Sequence, residues 1–378
     1  MKKYDIAAYV WPAYTGDEPR TRLFWDEGIG EWQSVKNAEK NSAKKMDWYN
    51  SWQRKPLWGY VNEADPKVME MQINEARNHG VNVFIYDWYW YDNRPFLENC
   101  LNDGFLKASN CDSMKFYLMW ANHNANYTWD IRNSDEYSTV IWNGAVTREQ
   151  FEIIGKRWIS QYFCKPNYYK IDNKPVISIY ELRNFLYGLG GYEAAKDAMQ
   201  WLDSEAKKAG LNGVHFQFVR WNGSKENKNL SGVDEGNMPT ASDIVEGLGF
   251  ESLTHYQYAH FANIDRDYLD ITVDAIKEWQ AARKDHKIPY YPHVSIGWDN
   301  NPRFKEFRPG IMKNNTPENF KNALMEAKKF ADESGVSLIT VNSWNEWTET
   351  SYLEPDNVYG YGYLNAIKEV FKDEKGQS

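Results

Sequence analysis

Apolar residues gather in eight short runs rich in Val, Ile, Tyr, Phe and Trp. They are IAAYVWP (6–12), VNVFIYDWYW (81–90), KFYLMWANHN (115–124), KPVISIYE (174–181), GVHFQFVR (213–220), ESLTHYQY (251–258), YYPHVSIGW (290–298) and SLITVNSWNEW (337–347). Runs of this length and composition predict strands. Between them lie segments such as DPKVMEMQINEARNHG (65–80) and TPENFKNALMEAKKFADESG (316–335), whose apolar positions recur at helical spacing. Each opens with Pro in its first turn and closes on Gly, the expected helix start and stop. Alternating strands and helices predict a parallel sheet. Eight such units predict an α/β fold of the (β/α)8 TIM-barrel type, one domain over residues 1–378, in preference to an open doubly wound sheet. No GxGxxG follows the first run, which weakens the dinucleotide-binding form of that open sheet.

Two connections are long: the Trp-rich segment 13–65 and the polar stretch RWNGSKENKNLSGVDEGNMPTASD (220–243). Both follow strands, so both are expected to project from the C-terminal face of the barrel, where barrel enzymes bind substrates, and to shape its subsites.

Composition narrows the ligand. Aromatic residues make up 16% of the chain, with 18 Trp and 26 Tyr. Part of that excess packs the core, but flat rings with a polar handle also suit a surface that holds polar ligands by their apolar faces, and carbohydrate is the leading candidate. A net charge of −9 without a basic stripe argues against nucleic acid, whose phosphates call for Lys and Arg. Cys100, Cys111 and Cys164 form no CxxC and no His-spaced set, so no metal site is signalled. Free thiols are the first expectation, with a Cys100–Cys111 bridge as the alternative. No stretch has the length of a membrane span. The start, MKKYDIAAYVWPAY, lacks a long apolar core followed by a cleavage site. It fits a cytoplasmic protein, and equally a periplasmic or secreted one whose export signal has been removed. Oligomeric state is left open, and no cofactor is expected.

The C-terminal ends of the eight runs carry a consistent chemistry. The first ends in Tyr9 and Trp11, the second in Asp87, Trp88 and Trp90, the third in Trp120, Asn122 and His123, and the fourth in Tyr180 and Glu181. The fifth ends in Arg220 and Trp221, the sixth in His255 and Tyr256, and the seventh in Trp298 and Asp299. Aromatic walls with a few acids and amides are what a pyranose ring and its hydroxyls need. Each residue also has an ordinary structural explanation. Asp87 fits a turn cap, Glu181 a pair with a barrel Arg, His123 a structural histidine, and Trp88 and Trp90 a face packed on helices. The recurrence across eight ends is what points to a site.

The eighth run leads into NSWNEWTETSYLEPD (342–356), where Trp344, Asn345 and Trp347 interleave with Glu346, Glu349 and Glu354. If the turn coils, Glu346 and Glu349 lie on one side with Cβ atoms about 5–6 Å apart. Such a pair can flank one glycosidic bond, one acid donating to the leaving oxygen and the other acting as base or nucleophile. Mutual repulsion raises the pKa of one and makes it a usable acid near neutral pH. The alternative is a solvated acidic turn.

NEWTETSYLEP resembles the NEWxE(x)4EP signature of glycoside hydrolase family 99, the endo-α-mannosidase family, and of the related WbsX-type proteins. GVNVFIYDWYW (80–90) is similar to the second strand of that group. The resemblance implies a retaining (β/α)8 hydrolase that needs no metal and works through a 1,2-anhydro sugar. It implies Glu346 as the base on the substrate 2-OH, Glu349 as the general acid, and Glu354 as a supporting carboxylate. The sequence departs from the mannosidase pattern at Asn122 and His123, near a glutamate-containing stretch of those enzymes, and at Thr348, where they carry histidine. These departures bear on mannose specificity and leave the two carboxylates untouched. A sugar-nucleotide glycosyltransferase, a label attached to WbsX-type sequences, is the rival enzyme, normally built on a doubly wound sheet. A noncatalytic carbohydrate-binding barrel is the rival of another class.

Overall fold

The computed structural model describes residues 4–16, 18–38, 43–221 and 241–371. Eight parallel strands form its centre: β1 (Asp5–Val10), β2 (Val83–Tyr91), β3 (Lys115–Trp120), β4 (Lys174–Ile179), β5 (His215–Val219), β6 (Ser252–Thr254), β7 (His293–Ser295) and β8 (Leu338–Asn342). Every one lies within or overlaps an expected run. Their order around the sheet is β6-β5-β4-β3-β2-β1-β8-β7. The seam between β6 and β7 is bridged where the Leu253 N–H donates to the Pro289 carbonyl (2.9 Å) and the Tyr291 N–H to the Leu253 carbonyl (2.8 Å). The result is a nearly closed barrel, as the alternation of patterns predicts.

Helices α1 (Pro66–Asn78), α2 (Arg148–Trp158), α3 (Tyr192–Lys208), α4 (Ala241–Leu248), α5 (Tyr268–Asp285), α6 (Pro317–Ser334) and α7 (Gly362–Phe371) surround the strands. Their ends follow local chemistry. The Asp65 side chain accepts from the Lys67 N–H and Pro66 opens α1, while Thr316 caps α6 and Gly335 closes it at φ 72°. Between β2 and β3 the crossover uses a short π turn (Cys100–Gly104) and a 3-10 turn in place of a regular helix. Gly104 sits there because the backbone of Glu63 passes so close that a Cβ would lie 2.0 Å from its carbonyl oxygen.

The long segment after β1 carries helices Trp32–Asn37 and Ala43–Trp52. It is pinned across the strand ends, since Trp48 Nε1 donates to Asp299 Oδ2 (2.6 Å) and Trp52 Nε1 to Thr350 Oγ1 (2.9 Å). The second long connection falls mostly at 222–240, outside the described residues. Cys100, Cys111 and Cys164 are free thiols. Among the described residues no helix is long and apolar enough to cross a membrane.

Candidate active site

Past β8 the chain makes a tight hairpin in which Asn345–Glu346 pair antiparallel with Ser351–Tyr352. A 3-10 turn, Trp347–Glu349, joins the two halves, and Thr350 completes it at φ 54°. Ser343 staples the hairpin: its Oγ accepts from the Glu346 N–H (2.8 Å) and donates to the Ser351 carbonyl (2.6 Å). Glu346 and Glu349 therefore stand at the two ends of one turn, which is the coiling expected of their spacing.

Both face a cavity of about 350 Å3 at the C-terminal end of the barrel. All eight strands or the loops after them contribute to its lining. Trp11 comes from the first, Asp87 and Tyr89 from the second, His123 from the third, and Tyr180 from the fourth. Trp221 follows the fifth, Tyr256 the sixth, Arg303 the seventh, and Glu346 and Glu349 the eighth. Ring contacts tie Trp11, Tyr89, Trp129 and His123 into one aromatic surface. Trp221, stacked on His260 at 4.2 Å, joins Tyr180 and Tyr256 in a second. Asn124, Asn126 and Thr128 add polar groups along the edge.

Arg303 organises the acids. Its Nη1 donates to Glu349 Oε1 (2.6 Å), its Nη2 to Glu346 Oε1 (3.1 Å), and its Nε to Glu31 Oε1 (2.8 Å). Glu31 arrives from the loop after β1, fully buried, and also accepts from Trp11 Nε1. The Tyr256 hydroxyl lies 2.8 Å from Glu346 Oε2 and 2.9 Å from Asp87 Oδ2. Among the described residues Glu349 Oε2 and Asp87 Oδ1 have no hydrogen-bond partner.

These surroundings separate the two motif acids. Burial and the neighbouring Glu346 push Glu349 up to about 8, with Arg303 opposing. Burial also raises Glu346, but Arg303 and the Tyr256 hydroxyl both pull it back down. Two donors, Arg303 and Tyr256, thus reach Glu346, whereas Glu349 has Arg303 on one oxygen and no partner among the described residues on the other. His123 Nδ1 sits 2.9 Å from the Asn124 carbonyl, which can only accept, so the proton is on Nδ1 and Nε2 carries a lone pair. Burial keeps this ring neutral. Among the described residues no group of three or more His, Cys, Asp or Glu side chains is arranged to hold a metal ion. The centre of the acid cluster is occupied by the guanidinium of Arg303.

Of the residues expected at the site, Trp11, Asp87, His123, Tyr180, Trp221, Tyr256, Glu346 and Glu349 line the cavity. The others lie elsewhere, for identifiable reasons. Strand alternation turns Asp87 and Tyr89 to the cavity, so Trp88 and Trp90 point the other way, where they stack on each other and Trp88 packs on Trp158. Trp120 shares that outer layer with Trp158 and Phe185. Tyr9 lies behind Tyr256, its hydroxyl donating to the His255 carbonyl. Asn122 and Glu181 hold each other's strand ends together through Asn122 side-chain bonds to the Glu181 backbone, and the Glu181 carboxylate caps the next helix rather than pairing with a barrel Arg.

Arg220 is taken up by Glu278 and His286, and His255 by Tyr290. Trp298 is half-buried outside the lining. Trp344, Asn345 and Trp347 are fully buried beneath the turn they were expected to flank with ligand contacts. Asn345 spans the Trp11 backbone and Glu63, and Trp347 Nε1 donates to Glu354 Oε2 (2.6 Å). Glu354 is likewise buried and acts as support. Arg303, Tyr89 and Trp129 line the cavity and Glu31 is buried behind Arg303, and nothing in the sequence marks these four as site residues.

The fold is that of family 99 enzymes. The endo-α-mannosidase of Bacteroides thetaiotaomicron superposes with a TM-score of 0.59 at 15% identity, covering 96% of this chain and 95% of that one. A glycoside hydrolase-like protein gives 0.59 at 14% identity over 99% and 95%. The uncharacterised protein WxcX of Xanthomonas campestris pv. campestris is 24% identical over 363 residues, 93% of this chain. The chain spans about half the length of the curated relatives it matches, 47%. The family described as glycosyltransferase WbsX matches residues 6–367, nearly the whole barrel, and the chain belongs to that family.

Proposed function

We propose that this chain is a retaining glycoside hydrolase acting on a manno-configured or related glycan, with Glu349 as general acid and Glu346 as base. One observation carries the proposal: two buried carboxyls share one guanidinium at an aromatic-lined cavity, in surroundings that favour the proton on Glu349. In the first step Glu346 takes the proton of the sugar 2-OH, O2 closes on C1, and Glu349 gives its proton to the departing oxygen. The product is a 1,2-anhydro sugar. Water then opens it at C1, giving its proton to Glu349 while Glu346 returns one to O2, and both acids regain their starting states. Attack by O2 from behind requires the 2-OH and the leaving group to be trans, which selects α-manno among the common hexopyranosides with an axial 2-OH.

Transfer from a sugar nucleotide is the reading that the family's description favours. The charge of the cavity speaks for the hydrolase. A pyrophosphate needs cations, and the one Arg or Lys lining the cavity among the described residues, Arg303, is already engaged by three carboxylates. A noncatalytic binding barrel has no use for two acids of unequal proton affinity.

The test compares Glu349→Gln and Glu346→Gln on an aryl glycoside with a good leaving group and on the natural linkage. Glu349→Gln is expected to lose about 10²–10⁴-fold on the natural linkage while retaining the activated substrate. Glu346→Gln is expected to lose both. Full activity of Glu349→Gln on the natural linkage overturns the assignment, and a glycosylated acceptor in place of free sugar as product assigns transfer.

A further inference from the structure

Three oxygens below the acid pair pose a proton-counting problem. The Tyr256 hydroxyl has one hydrogen, yet it lies within hydrogen-bond distance of both Asp87 Oδ2 (2.9 Å) and Glu346 Oε2 (2.8 Å). A single proton satisfies one of these contacts. The other then sets two lone pairs against each other unless a carboxyl supplies a second hydrogen. Charge decides which carboxyl does so. Among the described residues Arg303 is the one Arg or Lys lining the cavity, and its bond within this trio is to Glu346, with none to Asp87. The remaining acids near the trio, Glu31 and Glu349, are held by the same guanidinium. The phenols packed around it, Tyr9, Tyr89 and Tyr180, are kept neutral by burial. The imidazoles of His123 and His260 are neutral too, so neither offers Asp87 a counter-charge. Asp87 is buried, and its second oxygen has no partner among the described residues, an arrangement costly for an ionised carboxylate.

We propose that Asp87 is a positioning residue that carries a proton and donates it to the Tyr256 oxygen, which commits the Tyr256 hydroxyl to Glu346 and keeps Glu346 ionised as the base. The relay Asp87 → Tyr256 → Glu346 is a fixed chain of two donations, with no net movement of protons during turnover. It deepens the proposed function, because it explains how one of two adjacent buried acids stays a base. Burial and the negative charge of Glu346 raise the Asp87 carboxyl well above its ordinary range, in keeping with this state.

Two measurements test it. The first needs no substrate. Infrared spectra of protein isotope-labelled at the aspartate side-chain carboxyl should show a protonated-acid carbonyl band at neutral pH in the wild type that is missing from Asp87→Asn. The absence of such a band, or its survival in Asp87→Asn, overturns the proposal whether or not any glycoside is cleaved. The second rests on the hydrolase assignment. In Asp87→Asn the amide N–H replaces the acid O–H, so the acid limb of the kcat/KM pH profile should not move. Were Asp87 ionised, the same variant would remove a negative charge beside Glu346 and shift that limb to lower pH by about a unit or more, overturning the proposal. Tyr256→Phe should shift the limb to higher pH, since Glu346 loses a donor; an unmoved limb there also overturns it. If no glycoside is turned over, the hydrolase reading fails while the infrared result still decides the state of Asp87.

Discussion

Two clusters of buried carboxyls hang from residues 342–356, and they differ in what surrounds them. In the upper one Glu346 and Glu349, with Glu31, surround Arg303 and open on the cavity. In the lower one Glu63 and Glu354 meet beneath the turn, held by Gln72, which donates to both (3.1 and 2.7 Å), by Asn345 and by Trp347. None of the contacts of this lower pair is to a cation, and neither acid lines the cavity. Burial raises the acids of both, Glu63 to about 7 and Glu349 to about 8. A perturbed carboxyl is therefore not in itself the mark of a catalytic acid. What separates the clusters is access, and a cation shared by the acids of the upper one and missing from the contacts of the lower. The lower cluster fixes Asn345 and Trp347, the residues on either side of Glu346, and so holds the upper one in place.

Removing the cation is the strongest way to break this comparison. Arg303→Met leaves Glu31, Glu346 and Glu349 buried without compensation, and the expected cost is about 3–5 kcal/mol of unfolding free energy by urea denaturation. Adding Glu31→Gln should recover part of it, with a coupling energy of about 0.5–3 kcal/mol between the two sites. A loss for Arg303→Met no larger than that of a surface substitution would mean that the upper acids do not depend on their counter-ion.

The lower pair offers the smaller effect. Its acids are held by neutral donors and not by a counter-ion, so Glu354→Gln exchanges one hydrogen bond and breaks no ion pair. The expected cost is about 1–2 kcal/mol. Turnover should change much less than in Glu349→Gln, because Glu354 acts only through Trp347 and the hairpin. A loss of activity equal to that of Glu349→Gln, in a variant that remains folded, would erase the distinction between the clusters.

How much of this is visible in the sequence depends on how far apart the interacting residues lie. The barrel is legible because each strand and helix declares itself locally, as in the Pro66 and Gly335 ends of α1 and α6. Glu346 and Glu349 are legible because a single turn contains both. Arg303 and Glu31 are not, since they lie 272 residues apart and the 3-10 turn ending at Arg303 has no signal of its own. Register on β2 fails for another reason. The strand is buried along its whole length, so YDWYW has no polar face to tell Asp87 and Tyr89 from Trp88 and Trp90. Asn345, Trp344 and Trp347 misled because an aromatic near an acid motif resembles a sugar platform, and only the cover of the loop after β1 and of α1 turns it into a floor.

The smallest expected effect concerns the pH dependence of stability, where the sign has to be worked out group by group. Carboxyls raised above their ordinary 4.5 bind a proton more tightly in the folded chain than in the unfolded one. Their contribution is complete below about pH 4.5 and is lost as pH rises through the folded pKa. Buried histidines act in the opposite sense: His260, lowered from 6.5 to about 3, and His215 and His286, lowered to about 4, add stability as pH rises through that interval. The two trends overlap up to about pH 7.5, a unit above the histidine pKa of the unfolded chain, and obscure each other. Above it the histidines are neutral in both states, and the carboxyls act alone. The melting temperature should therefore fall between about pH 7.5 and about pH 8.5, an acid still protonated in the folded chain contributing roughly 1 kcal/mol per pH unit. Glu349→Gln removes the group raised to about 8 and should flatten the fall in thermal scans at constant ionic strength, and Glu63→Gln should flatten it less, its titration being centred near pH 7. A bound glycan separates the clusters in the same experiment: it contacts Glu349 through the cavity and should change the upper share of the slope, while the lower share, walled off by Trp347 and Gln72, stays as it was. A ligand that altered both shares equally would show that the two sets of acids titrate as one.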